Sequence, residues 1–224
     1  MKRWQKILML GVLLALAAYV VKPMVENQIR SWKFAELNER IEAAAGSERY
    51  PISVGGEFET AAFYEDGDGW HTVTVALADE GENPPPLVRQ AMVLNTGSEA
   101  VQAVAGIAGY EESERELVVL LAHEEPRRWD MVRLEIGGTV FSRAFSSRKH
   151  SQKDVSTPLS NLGEEHSVTI SFFANPEKDA DNGLPHGSTN PAEVIAGLSF
   201  DEEGLEPYFS FTADLSPLLE AEGL

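Results

Sequence analysis

An unbroken apolar stretch, residues 7–21, follows a short basic segment at the start of the chain. At 1.5 Å per residue this stretch spans about 22 Å, whereas the hydrocarbon core of a bilayer is about 30 Å thick. Met24 and Val25 extend the apolar length to about 28 Å, provided that the Lys22 side chain reaches toward the interface. The sequence therefore predicts a signal anchor that crosses a membrane once.

A cleaved signal peptide is the alternative interpretation, with the Ala-Leu-Ala segment at residues 15–17 as its cleavage site. We favour the anchor because residues 18–21 are still apolar, whereas a cleaved peptide usually becomes polar after its site. Lys2, Arg3 and Lys6 precede the stretch, so the positive-inside rule keeps the amino terminus in the cytoplasm. We expect a single-pass protein of the bacterial cytoplasmic membrane with its carboxyl-terminal part outside.

Composition agrees with an extracytoplasmic bacterial protein. The chain has no cysteine and no Asn-x-Ser/Thr sequon, so disulfides, thiol chemistry and N-glycosylation are not expected. All 36 acidic residues follow residue 21 but three of the 18 basic residues precede it, which leaves the rest of the chain with a formal charge of −21. Because such a body repels phosphate backbones, nucleic acid is not an expected partner.

The chain divides into three predicted parts. Residues 1–22 form the signal anchor or transmembrane helix, residues 23–46 a juxtamembrane helix, and residues 50–224 an extracytoplasmic α+β domain. Gly46 follows three alanines and predicts the end of the second helix. Pro23 is tolerated in a first helical turn and disrupts a helix interior, so the juxtamembrane helix either continues the membrane span or bends away from it.

The juxtamembrane helix carries two apolar stripes, which lie more than a quarter turn apart. Val25, Ile29 and Trp32 form the first stripe, and Phe34, Leu37, Ile41 and Ala44 form the second. Since a simple spacer does not need two apolar faces, we expect the second stripe to dock on the domain; the alternative is that one stripe meets another subunit. The candidate partner-binding residues are therefore Ile29, Trp32, Phe34, Leu37 and Ile41.

From residue 50 onward apolar side chains mostly alternate with polar ones, which predicts β-strands. Strands are predicted at residues 57–64, 70–77, 117–122, 129–136, 139–145, 166–174 and 207–212. The run 117–122 is continuously apolar and indicates a buried central strand. Gly137-Gly138 predicts a two-residue hairpin that pairs Ile136 with Thr139.

The helical signals in this domain are weaker. Residues 87–94 fit a helix or a strand, and a possible capping box at residues 96–99 predicts a helix over the alanine-rich residues 100–108. Short helices are predicted at residues 191–197 and 217–221, the last one capped by Ser216. Because adjacent strands have hairpin-length links and no regular βαβ alternation occurs, we expect a mainly antiparallel α+β domain with a few helices.

One long irregular segment, residues 175–191, is a candidate binding loop. Its Asp179, Asp181 and Asn182 are candidate oxygen ligands for calcium. They do not form an EF-hand, because the fifth and twelfth positions of that pattern are occupied by Gly and Asn. Only an irregular calcium site is compatible with this spacing.

Each candidate catalytic motif in the sequence lacks a residue that its chemistry requires. His123 begins a His-Glu-Glu sequence, but the position of the second zinc-binding histidine is Arg127. Ser146 and Lys149 have the Ser-x-x-Lys spacing of some penicillin-recognising enzymes, yet the accompanying Lys-Thr-Gly sequence is missing from the chain. We therefore predict no catalytic residues and no cofactor, and we do not expect an enzyme.

These observations predict a membrane-tethered accessory or assembly subunit that acts through protein–protein interaction, with another envelope protein as its partner. The alternative is an exported hydrolase or a small-ligand or carbohydrate-binding protein with its site around residues 175–191. Trp32, Trp70, Trp129 and Tyr208 would then supply aromatic surfaces for sugar stacking.

Overall fold

A computed structural model describes residues 3–52, 54, 58–78, 81–95, 101–123, 131–144, 151–163, 166–173, 206–207 and 209–224. Within these ranges the side chains of residues 3–20, 101, 123, 131, 143–144 and 151–153 are not described. The predicted helix at residues 191–197, the loop at residues 175–191 and the calcium candidates Asp179, Asp181 and Asn182 lie outside the described residues.

Two α-helices occur in the described part of the chain, α1 (Arg3–Ala45) near its start and α2 (Ser216–Ala221) near its end. Twelve strands lie between them in the same part: β1 (Tyr50–Ile52), β2 (Glu59–Asp66), β3 (Gly69–Ala76), β4 (Leu87–Gln90), β5 (Met92–Val93), β6 (Val101–Ala108), β7 (Glu116–His123), β8 (Met131–Ile136), β9 (Thr139–Ala144), β10 (Ser151–Pro158), β11 (Ser167–Phe173) and β12 (Phe209–Asp214). Short 3-10 turns occur at Glu112–Glu114 and Leu159–Asn161.

The described strands form three four-stranded sheets in which every pairing is antiparallel. Sheet A has the strand order β1-β2-β3-β4, sheet B the order β10-β7-β6-β5, and sheet C the order β12-β11-β8-β9. The hairpin of β8 and β9 pairs Ile136 with Thr139 as predicted, and its turn residues Gly137 and Gly138 both have positive φ. The expected α+β fold with mainly antiparallel sheets is confirmed.

The helix and the sheets stack as four layers, in the order α1, sheet A, sheet B, sheet C. Apolar side chains fill each interface and form three separate buried clusters. In sheet B, alternate residues point to opposite sides: Leu117 and Val119 face sheet C, while Val118 and Leu120 face sheet A. Both faces of β7 are therefore buried, which is why its sequence is continuously apolar, as predicted.

The interface between sheets A and B is tight enough to require glycine at one position. A Cβ atom on Gly106 would collide with the Thr72 side chain and lie 2.9 Å from the Phe63 ring. Thr72 is fully buried there, and its hydroxyl donates a hydrogen bond of 2.9 Å to the carbonyl oxygen of Ile107 in β6. The polar atom of Thr72 is thus satisfied by the neighbouring layer.

Several local predictions were wrong. Residues 101–108 form strand β6 and not a helix, and β10 was not predicted at all. For residues 87–94, where the sequence left a helix and a strand open, the strand alternative is confirmed by β4 and β5. Helix α2 is confirmed, but Ser216 does not cap it: the Asp214 carboxylate accepts hydrogen bonds from the Ser216 backbone N–H and hydroxyl, at 2.9 and 2.7 Å.

Helix α1 is continuous through Pro23 and ends at Ala45. Gly46, with a φ of 78°, terminates it as predicted, and its N–H donates to the carbonyl oxygen of Glu42 over 2.9 Å. In the described part of the chain no helix combines the length and the apolar character needed to cross a membrane. At 1.5 Å per residue α1 is about 64 Å long.

Candidate functional site

The carboxyl-terminal part of α1 belongs to the protein's own core. Leu37 and Ile41 are each only 2% exposed and pack against Ala62, Val73 and Val75 of sheet A. Burying side chains of this size contributes about 1.5–3 kcal/mol each. The expectation that the second stripe docks on the domain is confirmed for Leu37 and Ile41, and the same contact removes both from the candidate partner-binding residues.

Polar contacts fix this docked part to the loop that precedes β4. The guanidinium of Arg40 donates a hydrogen bond to the carbonyl oxygen of Pro84. The Asn83 amide donates to the Glu36 carboxylate over 3.0 Å, and its oxygen accepts from the Ala78 N–H over 2.9 Å. Docking is thus specified by hydrogen bonds on the rim as well as by apolar burial.

Helix α1 leaves the body near Lys33. The ammonium group of Lys33 lies 3.3 Å from the centre of the Phe58 ring, a cation–π contact. A shallow cavity of about 270 Å³ surrounds this contact and is lined by Glu26, Ile29, Arg30, Lys33 and Phe58. Before this point the helix has little support from the body, because every residue from 21 to 32 is exposed.

Large apolar side chains are exposed on this projecting segment. We name the following set the free face: Val21, Met24, Val25, Ile29 and Trp32, which are 45–67% exposed. Phe34 is also exposed, at 54%, and so departs from the expectation that it docks with the second stripe. The physical reason is position, because Phe34 lies nearly one helical turn before Leu37, which is the first buried residue of α1 from residue 21 onward.

Concentrated exposure of this kind usually indicates a binding surface. Single apolar side chains are common on protein surfaces, but five of them on one side of a helix form a continuous patch that water solvates poorly. The candidates Ile29 and Trp32 both lie in the free face. The structure therefore brings these two residues together, with Phe34 nearby on another side of the helix.

A second candidate site is a cavity of about 340 Å³ at the edge of the body, between β5 and α2. Its lining is mostly apolar and comprises Gln90, Ala91, Met92, Val93, Pro217, Leu218 and Ala221. Beside it a salt bridge of 2.8 Å joins Arg89 of β4 to Glu222 just after α2, with side chains 6% and 18% exposed. No motif in the sequence indicates this site, because its two sides come from distant parts of the chain.

Three carboxylates, Glu59, Glu114 and Glu116, lie near one end of sheets A and B. Burial raises the pKa of Glu59, and the negative charges of Glu114 and Glu116 raise it further, whereas Arg89 opposes the shift. This arrangement does not amount to a metal centre: within the described ranges, no group of three or more His, Asp or Glu residues is placed to hold a metal ion.

The proposed sugar-stacking aromatics do not form one surface. Trp70 is buried and stacks on Tyr50 with ring centres 5.5 Å apart, so it serves the core between sheets A and B. Trp32 is exposed on the projecting helix. Trp129 and Tyr208 lie outside the described residues.

No family model, curated protein or solved structure matches the chain. The free face and the cavity between β5 and α2 are therefore the two features that bear on function, and the free face is the more extensive.

Proposed function

We propose that this chain is a membrane-tethered, extracytoplasmic accessory or assembly subunit of the bacterial cell envelope, and that it acts through protein–protein contacts on α1. The observation that carries the proposal is the free face, five large apolar side chains exposed on a helix that is firmly docked at its other end. A convex helix surface suits a second protein better than a small ligand, which requires a concave site.

The membrane part of the proposal is supported by sequence. The basic residues before the apolar stretch 7–21 set its orientation, and the charge of the remaining chain disfavours contact with anionic headgroups. With the anchor in the bilayer through Val25, residues 26–36 of α1 would hold the body about 16 Å from the membrane. The free face would then straddle the membrane surface, and its Ile29 and Trp32 would lie just outside the bilayer, where other envelope proteins meet them.

The contact is tested by photo-crosslinking in intact membranes. A photoreactive amino acid replaces Trp32 of the free face in the full chain, and in a matched variant it replaces Arg30, which is also exposed but on another side of the same helix. We expect a specific crosslinked protein from position 32 and little from position 30. Equal labelling at both positions, or no protein product from either, would refute the proposal.

The cellular location of the body is tested separately with a reporter fused to the carboxyl end. An enzyme that is active only outside the cytoplasm should be active in this fusion, and one that is active only inside should be silent. The opposite result would remove the membrane part of the proposal and leave the free face as a contact surface in another compartment.

A second candidate function, the binding of a small apolar ligand, is favoured by the edge cavity. A neutral naphthylamine dye should gain fluorescence with the wild-type chain, and Ala221→Phe, which places a ring at the cavity wall, should abolish the gain. Unchanged dye binding in the variant would exclude the cavity as the site.

A further inference from the structure

The projecting segment of α1 contains a regular spacing that its apolar composition alone does not require. Val21, Val25, Gln28, Trp32 and Ala35 follow one another at intervals of four, three, four and three residues, and all five are exposed. This is the heptad spacing at which two helices pack side by side. At about 100° per residue the five positions fall within an arc of about 80°. We name this set the seam.

The seam lies on the side of α1 opposite the body. Leu37 and Arg30 both occupy the heptad position that points away from the seam. Of these two residues, Leu37 is buried against sheet A. A helix packed along the seam would therefore be separated from sheet A by the full width of α1. The body does not obstruct such a contact.

The chemistry of the seam is uncharged and self-complementary. The four charged residues between Val21 and Ala35 are all off the seam: Lys22, Glu26, Arg30 and Lys33. Met24 and Ile29 flank it and add apolar surface. Its one polar member, Gln28, both donates and accepts hydrogen bonds, so it can pair with an identical Gln28, whereas a charged residue there would repel its own copy.

We infer that the seam binds the same seam of a second copy of this chain, as a parallel pair of α1 helices. The inference rests on the proposed function, since two copies anchored in one membrane present the seam at equal height and in the same direction. Parallel pairing also limits the electrostatic repulsion between the two bodies. Each chain beyond residue 21 has a formal charge of −21, and pairing along the seam places the two acidic bodies on opposite sides of the helix pair.

Cysteine crosslinking tests this pairing cleanly, because the natural chain has no cysteine. Val21→Cys and Ala35→Cys are made singly in the full chain, and each is oxidised in isolated membranes. A parallel pair brings each residue next to its own copy, so both variants should form a disulfide-linked product of twice the chain's 24.6 kDa. Arg30→Cys, on the opposite side of the helix, is the matched control and should stay monomeric.

The possible outcomes separate the inference from the proposed function. An antiparallel pair would link Val21→Cys only to Ala35→Cys when the two variants are mixed, and that result overturns the parallel pair. If seam cysteines link instead to a protein of another mass, the second copy is wrong and the proposed function stands. If Arg30→Cys dimerises as efficiently as the seam variants, or if no seam variant crosslinks to anything, the inference fails; in the latter case the contact function of α1 loses its support as well.

A charge substitution supplies an independent measurement. Gln28→Glu places two like charges against each other in the pair, and we expect it to weaken self-association in detergent at least about tenfold. Asn27→Asp makes the same amide-to-carboxylate change at the neighbouring exposed position, outside the seam, and should leave self-association within about twofold of wild type. Equal weakening by both variants would indicate a general charge effect and overturn the role of Gln28.

Discussion

Two segments of α1, residues 21–35 and residues 37–45, place apolar side chains in different surroundings. In the segment 37–45, Leu37 and Ile41 are sealed against sheet A, and Arg40 is bound to the loop before β4. In the segment 21–35, side chains that are just as apolar are exposed. The difference is geometrical, since the helix simply extends past the edge of the sheet. Apolar side chains in the first segment stabilise the fold, whereas those in the second add nothing to the core.

The contrast extends to charged side chains. In the body, Arg89 and Glu222 form a largely buried pair, while on the projecting segment Lys22 and Glu26 face each other at 3.8 Å with side chains 77% and 63% exposed. An exposed pair contributes little to stability, because water screens it, whereas a buried charge that loses its partner is costly. The same residue types therefore contribute differently to stability in the two regions.

The largest difference is expected when isoleucine is shortened on the two segments. Ile41→Ala leaves a cavity under the docked segment and should lower the free energy of unfolding by about 3 kcal/mol, whereas Ile29→Ala on the free face should change it by no more than about 0.5 kcal/mol. Urea unfolding of the two full-length variants in detergent provides the measurement. Similar losses for both would mean that the projecting segment is packed in a way the structure does not show.

A smaller contrast is expected from the two ion pairs. Glu222→Ala leaves Arg89 without its partner and should cost about 2 kcal/mol, less than a fully buried pair would because Glu222 is partly exposed. Glu26→Ala should cost less than about 0.5 kcal/mol. Thermal unfolding can compare them. Replacing Arg89 by Met together with Glu222 by Leu should recover most of the loss, and failure to do so would show that the Glu222 effect is not electrostatic.

The sequence predicted those elements in which the spacing of neighbouring residues determines whether each side chain is buried or exposed. Strand β3 alternates because one face meets α1 and the other meets sheet B, and Gly137-Gly138 specify their turn through positive φ. The two stripes of α1 were likewise visible from helical periodicity. Phe34 was placed wrongly because spacing gives the direction of a side chain but not the point at which the helix passes the sheet edge.

The errors arose where distant layers decide the environment. In β6, Ala103 and Ala105 face sheet C, while Val104 and Ala108 face sheet A, so Gln102 is the one polar residue of the strand and cannot mark a period of two by itself. A short, alanine-rich apolar run of this kind is equally compatible with a helix. The edge strand β10 was not predicted for the opposite reason, since Val155 is its only buried large apolar side chain among those described. The edge cavity could not be predicted, because it exists only once α2 packs beside β5.

A third contrast concerns a single methyl group. Gly106→Ala would force the Cβ atom into Thr72 and Phe63 between sheets A and B and should destabilise the protein by about 1–2 kcal/mol. Gly67→Ala, in the β2–β3 turn, meets nothing within 4 Å and should stay within about 0.5 kcal/mol of wild type. Urea unfolding of both variants tests this. Unchanged stability of Gly106→Ala would show that the two sheets can separate at little cost.

The smallest effects are expected from two carboxylates whose pKa values shift in opposite directions. Burial, aided by Glu114 and Glu116, raises the pKa of Glu59, so its ionised form opposes folding. That penalty is absent below the unfolded pKa, grows as pH rises through the folded pKa, and then stays constant. Glu59→Gln should therefore raise Tm at pH 7 by about 1–2 °C and leave it unchanged well below pH 4.

Asp214 should behave in the opposite way, because hydrogen bonds from the Ser216 backbone N–H and hydroxyl lower its pKa. Its carboxylate supports α2 above the unfolded pKa, and this support is lost as pH falls through the folded pKa. Asp214→Asn should accordingly lower Tm at pH 7, with a difference that disappears in acid. Thermal unfolding of the two variants between pH 3 and pH 8 should give difference curves of opposite sign, since the fold opposes ionisation at the half-buried carboxylate and favours it at the exposed one. Curves of the same sign would show that the net negative charge of the body, and not these local contacts, controls how stability depends on pH.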